Sequence, residues 1–307
     1  MELSQSQTKL VLDVNGKFIC NAAVYNGHNY CAFENLAKRL DEYRKSFPVQ
    51  DGDIYLLNYP KSGTHWMWEI LMMLTHGSAA SRPEHKHEMM LEIGFDSSAQ
   101  ESKGRRIINT HLLYEDMPPD ILNNSRGKII QVHRNPADIA VSFYHHTKSG
   151  VNGTALAYDW DDYISKLFWD KERMISSTWS VYTCDWWTRC HGNSNYLPVF
   201  YEELKEDPVK VIREIAKFLE VEAEQELLEQ IAAETSIEKM KVSKREKEVE
   251  ELGDSFVEGY TMYRKGVVGD WRNHFTEEQH EQFMKHYNQE LRNHPELHQK
   301  FIKSLQF

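Results

Sequence analysis

Short apolar runs alternate with helical hydrophobic stripes along much of the chain. Residues 54–59, Ile-Tyr-Leu-Leu-Asn-Tyr, form a mostly apolar and β-rich run that is typical of a buried strand. Pro60 and the Lys-Ser-Gly that follows it interrupt the run. Apolar residues then recur at the i, i+3, i+4, i+7 spacing of a helix: Met67, Ile70, Leu71 and Leu74. The pattern predicts a strand, a turn and a helix in succession.

The same succession recurs further along the chain. Three more runs predict strands, at residues 106–110, 128–132 and 196–201. Asn135-Pro136 follows the second of these, and Pro is favoured at the first position of a helix. A helical pattern follows the last of them, with Val211, Ile212, Ile215, Phe218 and Leu219. Repeated units of this kind predict an α/β fold with a mostly parallel sheet flanked by helices, in which ligands bind beyond the carboxyl ends of the strands.

Composition is that of an ordinary globular protein, with 40% hydrophobic and 27% charged residues. The 307 residues show no Pro-, Gly- or Ser-rich linker, so we expect one large domain over 1–307 with an N-terminal segment of about 30 residues. Two interpretations stay open for the charged stretch that begins near residue 238. It is either a solvated helix face or a mobile lid over about residues 238–258.

Acidic residues outnumber basic ones by 47 to 36, which gives a net charge of −11. Nucleic acid and anionic membranes both require excess positive charge, so neither is expected as a partner. An anionic ligand would need a local basic pocket. The four cysteines show no CxxC spacing and the N-terminus no signal-peptide pattern, and no run reaches the ~20 apolar residues of a membrane helix. A cytoplasmic protein with reduced thiols is expected.

Three polar segments lie where predicted strands end. The first, Tyr59-Pro-Lys-Ser-Gly-Thr-His-Trp66, joins a strand to a helix whose N-terminal N–H groups suit a phosphate. It lacks the leading glycine of the GxxxxGK[ST] pattern, and a simple turn is the alternative. The second places Arg134 at a strand end and Ser142 two turns into the next helix. The third, Arg264-Lys-Gly266, offers two cations and an accessible backbone N–H, or else a solvated basic turn.

Together the three segments resemble the signature segments of the cytosolic sulfotransferase family: YPKSGTHW, RNPADIAVSFYHH and RKGVVGDWRNHFT. The resemblance runs in the family's order and spacing over nearly the whole chain. It implies a single α/β domain with a P-loop-like phosphate-binding turn. It also implies that the donor is 3′-phosphoadenosine 5′-phosphosulfate (PAPS) and the product 3′-phosphoadenosine 5′-phosphate (PAP), with no metal required. The acceptor would be a small molecule.

The family's donor-binding residues carry over by position. Five residues would hold the 5′-phosphate: Lys61, Ser62, Gly63, Thr64 and His65. Trp66 would stack near the adenine, which Tyr201 and Thr235 would border. Five more would hold the 3′-phosphate: Arg134, Ser142, Arg264, Lys265 and Gly266.

The resemblance also implies catalytic roles. His111 would be the general base, Lys61 would stabilise charge on the bridging oxygen, and Ser142 would restrain Lys61 until the acceptor binds. Asn109 departs from the pattern, because many phenol-transferring members have Lys two residues before the catalytic His. A cation lost at this place could lower the rate or shift acceptor preference. Glu84-His-Lys-His87 carries two histidines without a nearby third ligand and is interpreted as a polar loop rather than a metal site.

An apolar acceptor cleft with polar edges is expected from Tyr25, Phe143, Tyr144, His146 and Trp169. Such a cleft suits a phenol, catecholamine, sterol or retinoid alcohol. The family's dimer motif is altered around 272–281, where Glu277 replaces an apolar residue, so a monomer or weak homodimer is expected. Alternatives are a P-loop nucleotide kinase, a non-catalytic PAP or hydrophobic-ligand binder, and a membrane-bound sulfotransferase.

Overall fold

The computed structural model describes most of the chain, in segments that contain all of the predicted strands. The described residues are 8–12, 18–80, 86–95, 105–124, 126–149, 158–245, 249 and 261–307. The predicted lid over about 238–258 lies largely outside them. Its first residues belong to a short helix in which Met240 is buried, and Lys244 beyond it is buried too, whereas the other residues from 238 to 243 are exposed, so this helix has one solvated face.

Nine strands occur in the described part of the chain. They are β1 (Thr8–Leu12), β2 (Phe18–Tyr25), β3 (His28–Cys31), β4 (Ile54–Asn58), β5 (Met89–Met90), β6 (Gly94–Phe95), β7 (Ile107–Thr110), β8 (Lys128–His133) and β9 (Tyr196–Phe200). The four strands predicted from apolar runs correspond to β4, β7, β8 and β9, with ends that differ by one residue.

Helices fill most of the intervening segments. They are α1 (Leu36–Lys45), α2 (Thr64–His76), α3 (Pro119–Leu122), α4 (Pro136–Lys148), α5 (Trp160–Asp162), α6 (Trp179–Cys190), α7 (Tyr201–Glu206), α8 (Pro208–Phe218), α9 (Gln225–Glu234), α10 (Ile237–Ser243), α11 (Glu277–Glu290) and α12 (Pro295–Ile302). A π-helical turn continues α5 over Tyr163–Leu167. In the part of the chain that the structure describes, 3₁₀ turns lie at Lys86–Glu88, Tyr114–Asp116 and Asp270–Asn273.

The central sheet has the strand order β6-β5-β7-β4-β8-β9. The five strands from β5 to β9 in that order run parallel to their neighbours, and β6 is antiparallel to β5. Every residue of β4 is buried, as expected for a parallel strand covered on both faces. Pro198 lies in β9 at the sheet edge, where a residue without an N–H is tolerated. The α/β fold with a mostly parallel sheet is confirmed.

A second, antiparallel sheet of β1, β2 and β3 occupies the N-terminal segment, and sequence analysis did not predict it. Its last strand contacts the rest of the molecule through polar groups. Asn29 bridges to Ile175, and the hydroxyl of buried Tyr30 donates to Asp116 Oδ2 over 2.5 Å. The sheet therefore reaches the edge of the cavity described below.

A buried ion pair holds the start of β7. The Arg106 Nε and Nη2 atoms donate to the two carboxylate oxygens of Asp53 over 2.8 and 2.6 Å. Both side chains are 1% exposed. Asp53 immediately precedes β4 and Arg106 immediately precedes β7, so this pair fixes the two strands side by side. At the opposite, carboxyl ends of these strands lie two candidate site residues: Lys61 after β4 and His111 after β7.

Candidate functional site

The predicted motifs converge at the carboxyl edge of the central sheet. Strands β4, β7 and β8 are parallel neighbours, with Leu57 paired to Thr110 and Asn58 paired to Val132. The segments that follow these strands therefore lie side by side and border one cavity of about 230 Å³. The cavity is lined by residues from all three motifs, among them Lys61, His111, Arg134, Ser142 and Arg264.

The turn after β4 has the backbone shape of a phosphate-binding loop. Lys61 has φ 70° and Gly63 has φ 110°, both in the left-handed region that favours glycine. A Cβ on Gly63 would lie 3.0 Å from the ring of Tyr201, so the close approach requires glycine there. Thr64 begins α2 and donates its hydroxyl hydrogen to Asn58 Oδ1 over 2.7 Å. The predicted Ser62 differs, because it is buried and does not line the cavity.

His111 follows β7 and is fixed in one tautomer. Its Nδ1 lies 2.7 Å from the carbonyl oxygen of Asn58, which can only accept, so Nδ1 carries the proton. The neutral ring then has its lone pair on Nε2. Burial lowers the pKa of His111 to about 3, with the charges of Lys86 and Lys61 acting in the same direction. The imidazole is therefore neutral at pH 7 and can accept a proton at Nε2.

Glu92 supports His111 from the neighbouring segment. Its Oε1 accepts a hydrogen bond from the His111 backbone N–H over 2.6 Å. Oε2 has no hydrogen-bond partner among the described residues, and the side chain lines the cavity. Burial raises the pKa of Glu92 to about 7. Sequence reasoning missed this residue, although a lone carboxylate directly after the apolar residues 89–91 is a recognisable signal.

Asn109 does not contribute to the cavity wall, where a catalytic residue would be expected. It is fully buried within β7 and does not line the cavity. Its amide nitrogen donates to the carbonyl oxygens of Lys86 and Met89, over 2.8 and 2.9 Å. Lys86 and His87, from the segment interpreted as a polar loop, both line the cavity. No group of three or more potential metal ligands occurs among the described residues.

A second basic region lies beside the turn after β4. The Arg134 Nη1 atom donates to the carbonyl oxygen of Lys61 over 2.9 Å, and its guanidinium lies 4.3 Å from the centre of the Tyr201 ring. Arg264 and Lys265 both pair with Asp270, over 2.6 and 2.7 Å. All three cations line the cavity, which makes it suited to an anion.

Asp138 connects the second motif to the third. Its two carboxylate oxygens accept from the backbone N–H groups of Gly269 and Trp271, over 2.7 and 3.0 Å. Since Asp138 lies in the first turn of α4, these two hydrogen bonds attach the segment that contains Asp270, the partner of Arg264 and Lys265, to the start of this helix. The remaining predicted donor-site residues, His65, Trp66, Tyr201, Thr235 and Gly266, also line the cavity.

Only two of the five residues expected in the acceptor cleft line the cavity, namely Phe143 and His146. Tyr25 instead donates its hydroxyl to Asp41 over 3.0 Å. Tyr144 packs against the rings of Trp160 and Tyr163, and Trp169 stacks on His286 with ring centroids 5.4 Å apart. The cavity is also lined by residues that sequence reasoning did not name: Tyr30, Phe33, Met90, Tyr163, Leu167, Arg173, Met174 and Ile175.

Helix geometry explains why Tyr144 does not line the cavity although Phe143 and His146 do. Phe143 and His146 are three residues apart and share one face of α4, whereas Tyr144 is turned about 100° away from Phe143. The helical period could therefore have excluded Tyr144 from the residues expected in the acceptor cleft. Nothing in the sequence places Trp169, because it follows a π-helical turn that changes the direction of its side chain.

Comparison with known proteins assigns the family. The model of the sulfotransferase domain family matches residues 51–295, a span that includes the central sheet and all three motifs. The chain belongs to the sulfotransferase family. The resemblance seen in the sequence is thereby confirmed, and the kinase and non-catalytic alternatives are not supported.

This sulfotransferase has similar relatives over most of its length. It is 29% identical over 294 residues to the amine sulfotransferase of Oryctolagus cuniculus, with 92% of this chain and 94% of the relative covered. It is 32% identical over 269 residues to human sulfotransferase 2A1, with 85% and 92% covered. The crystal structure of mouse sulfotransferase SULT7A1 complexed with PAP matches with a TM-score of 0.74 and 29% identity, covering 91% of this chain and 98% of that one.

Membrane association was a separate alternative. Among the described residues of this sulfotransferase, no helix is both long and apolar enough to cross a bilayer.

Proposed function

We propose that this enzyme transfers a sulfuryl group from PAPS to the hydroxyl, or amine, of a small and largely apolar acceptor. The observation that carries the proposal is His111, whose Nδ1 is held by Asn58, so that Nε2 is unprotonated, and whose side chain lines the same cavity as Lys61. A neutral imidazole beside an anion-binding turn supplies a general base and a charge-stabilising cation together.

The two basic regions support a donor with two separate anionic groups. In this proposal the turn from Lys61 to Trp66 binds the 5′-phosphate and approaches the adenine. The 3′-phosphate is bound by Arg134, Ser142 and the 264–266 loop. Tyr201 and Thr235 border the adenine of the donor, between the two phosphate-binding regions. The similar mouse sulfotransferase with bound PAP is consistent with this donor.

In the proposed transfer, side chains of the enzyme remove the acceptor proton and stabilise the charge that forms on the leaving group. As the acceptor oxygen attacks sulfur, His111 Nε2 takes the acceptor proton. The sulfur–oxygen bond to the leaving phosphate breaks, and Lys61 stabilises the charge that grows on this bridging oxygen. Ser142 restrains Lys61 before the acceptor arrives. Little covalent work is required of the protein, so positioning and charge neutralisation supply the rate enhancement.

The cavity favours acceptors with an apolar body and a polar edge. Tyr30, Phe33, Phe143 and Ile175 contribute apolar surface, while Glu92 offers a buried carboxyl oxygen without a partner among the described residues. Phenols, catecholamines, sterols and retinoid alcohols fit this description. An apolar pocket discriminates weakly among similar apolar groups, so several acceptors are expected. We expect the enzyme to work in the cytoplasm as a monomer or weak homodimer.

A transfer assay with labelled donor tests the proposal. Sulfate labelled in PAPS should appear in at least one acceptor from a panel of phenols, phenolic amines, sterols and retinoid alcohols, without added magnesium. PAP affinity is measured in parallel by calorimetry. Absence of both transfer and PAP binding would contradict the proposed function.

Replacing Gly266 by alanine should weaken PAP binding about tenfold, since left-handed backbone costs an L-residue about 1–2 kcal/mol. Gly266 has φ +63°, and a Cβ there would lie 2.7 Å from Ile237 Cγ1. Either the basic loop or α10 would have to move, and both border the cavity. The matched control is Gly77→Ala, which has the same φ but no atom within 4 Å of the new Cβ. Equal PAP affinities for the two variants would remove this loop from the donor site.

A further inference from the structure

Lys86 is a buried cation inside the proposed transfer site. It lies in the 3₁₀ turn Lys86–Glu88 that leads into β5, and it is only 5% exposed. Its side chain lines the same cavity as Lys61 and His111. Burying an ammonium group is costly unless partners or a bound anion compensate for the lost water. A buried lysine that lines the cavity is therefore placed where it can compensate the charge of an anion bound there.

Asn109 holds the turn that carries Lys86. Its amide nitrogen donates to the Lys86 and Met89 carbonyl oxygens, and its Oδ1 lies 3.5 Å from Lys86 Nζ. Asn109 is itself fixed within β7, where it pairs with Met90 of β5. The Asn109 side chain thus joins Lys86 to strand β7, which ends directly before His111.

The charge of Lys86 acts on both histidines nearest the transfer site. After burial, Lys86 is the largest charged contribution that lowers the pKa of His65, and it precedes Lys61 in lowering the pKa of His111. The titratable and charged groups around His111 are Lys61, His65, Lys86, His87, Glu92 and His146. Lys86 and His111 thus line the same cavity and interact electrostatically within it.

We propose that Lys86 is a second catalytic cation, whose ammonium group binds the oxygens of the transferring sulfuryl group, and that Asn109 is its positioning residue. The inference rests on the proposed function. The sulfuryl group carries negative charge throughout its transfer, and Lys61 neutralises the leaving oxygen only. A cation beside His111 also lowers the cost of bringing an anionic donor next to the acceptor oxygen as it loses its proton. In the sequence, Asn109 stands where many phenol-transferring sulfotransferases have a lysine, which suggested that a cation is missing from the transfer site. In this proposal Lys86, from a different segment of the chain, provides that cation.

The test separates charge from structure. Lys86→Gln retains an N–H donor toward Asn109 and loses the charge, whereas Lys86→Arg retains the charge. Lys86→Gln should lower kcat by about 10- to 100-fold, in the range of a lost transition-state donor. Its affinity for PAP should be unchanged, because PAP lacks the sulfuryl group. Lys86→Arg should recover most of the rate. Lys128→Met, at a partly buried lysine paired with Glu220 away from the cavity, is the control for losing a lysine.

A double-mutant cycle tests Asn109. If Asn109 acts through Lys86, Asn109→Ala should lower kcat in the wild-type background and change it little in the Lys86→Gln background. Equal effects in both backgrounds would overturn its positioning role. Lys86→Met replaces Lys86→Gln in every comparison if the glutamine variant does not fold.

Three results would overturn the role of Lys86: an unchanged kcat in Lys86→Gln, a loss of PAP affinity that matches the loss of kcat, or an equally slow Lys86→Arg. Each of them leaves transfer by the wild-type enzyme intact. A wild-type enzyme that transfers no sulfate to any acceptor would instead overturn the proposed function, and this role for Lys86 with it.

Discussion

Replacing His111 by alanine should lower turnover about 100-fold or more, as expected when a general base is removed. The imidazole is neutral because burial lowers its pKa to about 3, and Asn58 holds Nδ1 so that the lone pair lies on Nε2. Without the ring, the acceptor proton must pass to water. PAP affinity should be retained, because the groups proposed to bind the phosphates belong to other segments. Steady-state rates with a responsive acceptor and calorimetry with PAP measure the two quantities.

His111→Gln and His76→Ala complete this experiment. The glutamine amide can still donate to the Asn58 carbonyl but is not a base, so this variant should be as slow as His111→Ala. His76 also makes a hydrogen bond from Nδ1 to a backbone carbonyl, that of Met72 over 2.8 Å, but is exposed and outside the cavity. His76→Ala should therefore keep its rate. Normal turnover in His111→Ala would show that another group accepts the proton.

The variant Arg106→Met should lose about 3–5 kcal/mol in the free energy of unfolding, because it leaves the Asp53 carboxylate buried without its cation. In the native protein, two hydrogen bonds of 2.8 and 2.6 Å join these groups. The loss should show as a lower midpoint in urea or thermal unfolding. It should also reduce the amount of active enzyme, because the pair aligns β4 with β7 and these strands carry the Lys61 turn and His111.

A matched control removes a second arginine from an exposed pair. Arg126 contacts Asp51 over 2.7 Å, with the two side chains 65% and 70% exposed. Exposed pairs contribute about 0–1 kcal/mol, so Arg126→Met should unfold close to wild type. Equal stability of the Arg106 and Arg126 variants would mean that water reaches Asp53 once the guanidinium is gone.

Most of the turns that border the cavity could be predicted from the sequence because their signals are local. The apolar run before Pro60, the glycine at 63 and the Asn135-Pro136 pair each report the conformation of a few neighbouring residues. In the structure, the Asn135 side chain caps α4 by accepting from the Ala137 N–H over 2.8 Å. Parallel strands then bring these turns to one edge, so the motifs meet without further information.

Three of the five residues expected in an acceptor cleft do not line the cavity, because the cavity's lining comes together only through tertiary contacts. Tyr25 lies in β2, whose sheet was not predicted, and its hydroxyl is engaged by Asp41. Trp169 follows the π-helical turn and packs on α11 through His286. Neither position can be derived from the spacing of apolar residues.

The sequence by itself determined the strand–turn–helix units, the family and most of the basic groups that line the cavity. Only the tertiary structure decided which apolar side chains line this cavity and what surrounds His111. Lys86 shows the difference most clearly, since 23 residues separate it from Asn109 and the pairing of β5 with β7 brings them together. Local propensities set turns and helices over a few residues, whereas a buried charge beside a base depends on strand order and on how segments pack.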